Sequence, residues 1–127
     1  MTKECLKFIK DELVKLGINY EFGEWSSENV PTTYFIGEYQ EEESVNEDGL
    51  QDDIFILTGT TRELLLELEN VKEKIENNFP RIEGKTVILD NGSGIAVFYN
   101  NSFTVPTGND ELKRIQINLK IKEWKVN

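Results

Sequence analysis

The run SVNEDGLQDDIF, Ser44–Phe55, is where this chain comes closest to a recognisable chemistry. Setting Gly49 at the sharp-turn glycine of a calcium loop puts Ser44, Asn46 and Asp48 at the first, third and fifth ligand positions. Phe55 then falls where the bidentate glutamate belongs, so the loop lacks its closing ligand. Other chemistries fail earlier. The chain has no histidine, which removes the commonest general base and metal ligand, and with them any histidine-assisted nucleophile. Its single cysteine, Cys5, falls within a helical pattern and reads as a small buried hydrophobe. Zinc needs several clustered Cys or His ligands, and none cluster here. The run Asp90-Asn91-Gly92-Ser93-Gly94 has neither GxxxxGK nor GxGxxG spacing and precedes a strand, so it reads as a tight turn rather than a phosphate loop. Trp25 and Trp124 read as core or interface anchors. The expectation is a protein that is not an enzyme, with no metal and no cofactor.

The charge is more informative than the chemistry. A formal net charge of −10 argues against nucleic acid and against anionic membrane as partners, because both require a basic surface. The acidity is local. Glu38, Glu41, Glu42, Glu43, Glu47, Asp48, Asp52 and Asp53 crowd one segment, while Lys113, Arg114, Lys120, Lys122 and Lys125 crowd the C-terminal one. Exposed charges on solvated faces are the plain reading. The sharper one is head-to-tail pairing of copies, in which opposite patches set register. On that reading the subunit contacts are Glu41, Glu42, Glu43, Asp48, Asp52 and Asp53 on one side, and Arg114, Lys120, Lys122 and Trp124 on the other.

These residues need elements to hold them. In Leu112–Val126, Ile115, Ile117, Leu119 and Ile121 alternate with Arg114, Gln116, Asn118, Lys120 and Lys122, the period of a strand with one apolar and one polar, cationic face. Such a strand would run about 50 Å. It pairs with Ile95–Val105 through the turn run PTGND, and a hairpin so long needs a cover, which a neighbouring subunit could supply. Trp124 and Val126 break the phase, predicting a bulge or a strand exit near Lys122-Glu123. Upstream, Thr2 caps a helix to about Leu16 that Gly17 ends, with Leu6, Ile9, Leu13 and Leu16 as its buried stripe and Phe8 and Val14 beside it. Ile18, Tyr20 and Phe22 alternate as a strand, Gly23–Asn29 is a loop, and Thr32–Gln40 is a second strand. Glu41–Asp53 reads as an acidic loop turning at Asp48-Gly49, expected to order only on assembly. Ile54–Gly59 is a short central strand. Thr60-Thr61-Arg62-Glu63 matches a capping box. It opens a helix to Asn78 that buries Leu65, Leu68, Val71 and Ile75, with Leu64 and Leu66 widening the face. Thr86–Leu89 is one more strand.

The order α-β-β-β-α-β-β-β predicts an α+β fold: one domain over residues 1–127, with two main helices, a mixed or mainly antiparallel sheet of about five to six strands, and a long C-terminal hairpin. No signal peptide opens the sequence and no apolar run reaches membrane-spanning length, so a reducing cytoplasm is the expected compartment.

The segments YFIGEYQEEESVNEDGLQDDIFILTGTTR and AVFYNNSFTVPTGNDELKRIQINLKIKEWKV, with the leucine-rich helix between them, resemble small tail proteins encoded by Firmicutes phages and prophages. Their order is similar to that of the tail-terminator (tail-completion) family of long-tailed bacteriophages. The resemblance implies an α+β subunit that forms a hexameric ring and caps the tail tube. Its partners would be further copies of itself, the tail tube protein and the head-side connector protein. The host bacterial cytoplasm during assembly, and then the virion tail, would be its locations. The family has no catalytic signature to carry over. A head–tail neck component, or an acidic host-directed binding module that mimics a polyanion, are the alternatives.

Overall fold

The computed structural model describes residues 1–45 and 50–126. The order is α1 (Lys3–Lys15), β1 (Tyr20–Phe22), β2 (Thr33–Val45), β3 (Leu50–Thr61), α2 (Leu65–Asn78), β4 (Lys85–Ile88), β5 (Gly94–Thr104) and β6 (Lys113–Trp124). One curled six-stranded sheet runs β1-β2-β3-β6-β5-β4. β1 lies parallel to β2 and every other pair is antiparallel, so the sheet is mixed and the fold is α+β, as the pattern predicts.

Partners directly opposite in a ladder share a sheet face, so the register sorts the side chains. One face carries Phe35, Gly37, Phe55, Leu57, Ile95, Val97, Tyr99, Ile115, Ile117, Leu119 and Ile121. All of these are buried, and their apolar side chains join Cys5, Ile9 and Leu13 of α1 and Leu68 and Ile75 of α2 in one core. Both helices therefore lie on the same side. Over the opposite face, with Ile36, Ile54, Ile56, Phe98, Arg114, Gln116, Asn118, Lys120, Lys122 and Trp124, no helix packs among the described residues. The apolar row of the last strand is the centre of the core, each member no more than 1% exposed.

α1 begins where the sequence says. Thr2 Oγ1 accepts the Cys5 amide proton at 3.1 Å, and Gly17 leaves the helix with φ of +78°, a conformation costly for other residues. Its buried stripe runs through Cys5, Ile9, Glu12 and Leu13, while Val14 points to solvent.

Several expectations need correction. Glu41–Asp53 is not a loop: Glu41–Val45 ends β2 and Leu50–Asp53 opens β3, the two paired across an irregularity between Glu41 and Val45. The Asp48-Gly49 turn lies outside the described residues. The central strand is 12 residues long, because the acidic residues extend it on the ladder of β6. The capping box fails, since Thr60 and Thr61 are the extended last residues of β3. Thr61 Oγ1 instead meets Thr33 Oγ1 at 2.7 Å and accepts the Glu63 amide at 3.1 Å, and α2 starts after Leu64 without a side-chain cap. Leu64 and Leu66 do not widen the buried face; they are 71% and 61% exposed. Near Lys122-Glu123 the strand exits rather than bulges: β6 ends at Trp124, and the β3–β6 register runs unbroken from Leu50–Trp124 to Thr61–Lys113. The bulge sits instead in β5, between Tyr99 and Asn101.

Candidate subunit interface

The acidic and basic segments are not separate patches. β3 and β6 are neighbours, so Asp52 lies directly opposite Lys122 and Asp53 opposite Ile121 within one chain. The residues nominated as subunit contacts therefore divide by face. Asp52, Arg114, Lys120, Lys122 and Trp124 share the uncovered face, where Arg114 Nε donates to Thr60 Oγ1 at 3.3 Å and the Trp124 ring covers Gly94. Glu41 and Asp53 sit opposite each other on the helix-covered face. Glu42 is exposed on β2, its carbonyl accepting from Gln51 Nε2 at 2.9 Å. Glu43 falls on β2, and Asp48 lies outside the described residues.

Asp53 is out of a partner's reach. It is 1% exposed, and its Oδ1 accepts from Gln51 Nε2 at 3.2 Å. The Met1 ammonium stands 3.6 Å from Asp53 Oδ2 and 2.6 Å from Glu41 Oε1. Burial holds the Asp53 carboxyl above its usual range, whereas the hydrogen bond from the ammonium holds Glu41 below it.

Beside them lies a residue the sequence reading passed over. Glu123 is 3% exposed and accepts from Thr2 N at 3.1 Å and Thr2 Oγ1 at 2.7 Å. Its signal was present in the sequence, because Glu123 is the next odd position after Ile115, Ile117, Leu119 and Ile121. Expecting a bulge or strand exit there hid it. The same environment keeps Cys5 a thiol, since burial and the nearby Glu123 charge push its pKa well up, the opposite of an activated nucleophile. Glu12, also buried, is held low despite burial by Lys15 at 2.7 Å and Lys85 at 3.4 Å. Among the described residues no three His, Cys, Asp or Glu side chains converge as metal ligands.

The uncovered face is polar at its centre and apolar toward one corner. Gln116 Nε2 donates to Asn118 Oδ1 at 3.0 Å, and Asn118 Nδ2 donates to Asn101 Oδ1 at 2.8 Å. Arg81, Phe98, Lys120 and Lys122 border a shallow basic hollow. Ile88 and Trp124 around Gly94, and Val126 beside Gly92, are exposed at the β4 corner. This face can bind by shape and charge.

Compared with known proteins, the chain matches no protein-family model and no curated sequence. No helix among the described residues is long and apolar enough to cross a membrane.

Proposed function

We propose that this chain is a structural tail protein of a long-tailed phage or prophage, which assembles as a ring of copies, caps the tail tube and meets the head-side connector. The observation that carries the reading is the lopsided sheet. Both helices cover one face, and the other is left open with Ile54, Ile56, Phe98 and Trp124 among cations. A large two-layer subunit surface with apolar and charged groups interspersed suits protein contact. A ring requires a contact between unlike surfaces, and this molecule has a basic open face and an acidic β1–β2 edge to supply them. The resemblance of its segments to tail-completion proteins points the same way.

The test is capping of purified tail tubes, read by electron microscopy. Lys120 lies opposite Ile54 and Phe98, with no acid across the ladder, so Lys120→Glu reverses a charge without breaking a pair inside the subunit. The variant is expected to fold like the parent and to cap tubes less well, most clearly at low salt where screening is weakest. A parent protein that never caps tubes, with tails of normal length in its absence, would remove the assignment.

A further inference from the structure

The two edges of the sheet are stepped, and the steps match. On one side β1 covers β2 only at Phe35–Gly37, through the pairs Tyr20–Phe35 and Phe22–Gly37. On the other side β4 covers β5 only at Gly94–Val97. Following the ladders across the sheet places both on a common scale. Ser102 leads through Ile117 and Leu57 to Gly37, and Thr104 leads through Ile115 and Gly59 to Phe35. The uncovered stretch Ser102–Thr104 thus lies at the level of β1. Lys85 leads through Val97, Ile121 and Asp53 to Glu41, so β4 lies at the level where β2 has lost its cover. Each edge protrudes by one strand where the opposite edge is recessed by one.

The backbone at the recess in β2 is available. Phe35 N donates outward to Asn19 O and Gly37 O accepts outward from Gly23 N, each at 2.8 Å. With the period of two, Tyr39 and Glu41 turn their amide and carbonyl the same way; Glu41 is level with Lys85, and beyond it, as far as Val45, the ladder with β3 is irregular. Among the described residues no backbone hydrogen bond from another element reaches Tyr39 or Glu41 on that outward side. Unpaired strand edges are templates for another strand unless something discourages it.

Charge selects the partner. The β1–β2 edge carries Glu21, Glu24, Glu38 and Glu42, so two such edges repel each other. The β4–β5 edge is flanked by Lys120 and Lys122, and by Arg81 and Lys85, which lie 3.6 Å from Glu76 and 3.4 Å from Glu12 within the subunit. Large apolar side chains stand exposed at both edges, Phe22 and Tyr39 on the helix-covered face with their rings stacked at 6.0 Å, and Ile88 and Phe103 on the open face.

We infer that the occupant of each edge is the opposite edge of a second copy, the two joined as a half-lap so that one sheet continues from subunit to subunit. β4 enters the recess beside β2 of the next copy, where the two strands run parallel. β1 of that copy enters the recess beside Ser102–Thr104, where the strands run antiparallel. This joint rests on the reading of the chain as a self-assembling subunit and names the surface through which it assembles.

Disulfide trapping tests it. Glu42 and Thr86 are exposed on opposite edges, four strand spacings or about 19 Å apart, beyond disulfide reach within one chain. At the other step Phe22 and Ser102 lie level on the helix-covered face. Cys5 is buried and stays out of the oxidation. Oxidised Glu42→Cys/Thr86→Cys protein is expected to give a ladder of covalent oligomers on non-reducing gels, as is Phe22→Cys/Ser102→Cys. The four single variants are expected to give none. The absence of a ladder from both double variants overturns the joint. A dimer from Glu42→Cys alone also overturns it, because like edges would then meet. Tail tubes capped by protein that yields no ladder would reject the joint and keep the tail reading. A ladder from protein that never binds tubes would keep the joint and reject that reading.

Discussion

At the residue scale, Asp53 is a carboxylate in the interior, and it should shape how stability responds to pH. Asp53 is held above the usual carboxyl range by burial. The folded chain therefore binds its proton more tightly than the unfolded chain. Its contribution is present below the ordinary carboxyl pKa and is lost as pH rises through the raised value. Glu41 and Glu12 are held low, so theirs is present above the ordinary range and is lost as pH falls through the lowered values. Asp53→Asn keeps an acceptor for Gln51 and deletes a buried charge. Urea midpoints against pH should show the acid-side loss unchanged and the Asp53 decline gone, with neutral-pH stability altered by less than about 1 kcal/mol. A larger loss at neutral pH would mean that the charge itself is required. Gly59 makes a second residue-scale case. A Cβ there would overlap the Phe35 ring across the ladder, so Gly59→Ala should cost about 1–3 kcal/mol through overpacking.

At the scale of elements, the contrast between the two faces of α2 and the inner row of β6 is the sharpest check on packing. Leu119 is fully buried between β3 and β5, whereas Leu66 faces solvent. Leu119→Ala should destabilise by about 2–5 kcal/mol. Leu66→Ala should stay within about 0.5 kcal/mol. Both are measured by chemical denaturation of the same preparation. A comparable cost for the two would mean that Leu66 is covered, which in this arrangement only another subunit could do. The comparison at low and high protein concentration would then report assembly as well as stability.

At the scale of the whole molecule, the sheet resembles one interrupted in mid-course. It has one bare face and two edges cut at complementary levels. Acidic residues on the β2 side discourage pairing of like edges, a familiar protection for exposed strands. They leave pairing with a basic edge permitted. If that joint forms, raising ionic strength should weaken assembly of the parent protein, and the Lys120→Glu variant should show a flatter salt dependence. Analytical ultracentrifugation across a salt series reads both. Equal slopes would place Lys120 outside the contact.

What the sequence determined by itself is what side-chain periodicity and local capping can encode. The alternation Ile115, Ile117, Leu119, Ile121 made the last strand central, and Thr2 and Gly17 bounded the first helix, because these signals lie within a few residues of the groups they satisfy. The same local signals misled at Thr60-Thr61, where a good capping sequence belongs to a strand. There the ladders with β2 and β6 outweigh one cap. Tertiary structure alone decided which strands are neighbours. β3 and β6 are separated by more than fifty residues in sequence yet form one ladder. That pairing turns two apparently distant charge clusters into adjacent strands, with Asp52 facing Lys122. It also buries Asp53 and Glu123, two carboxylates whose types alone suggest the surface. The stepped edges are likewise invisible in sequence. They depend on where short β1 and β4 stop against longer neighbours, and that is set by pairing between distant segments rather than by any residue's own preference.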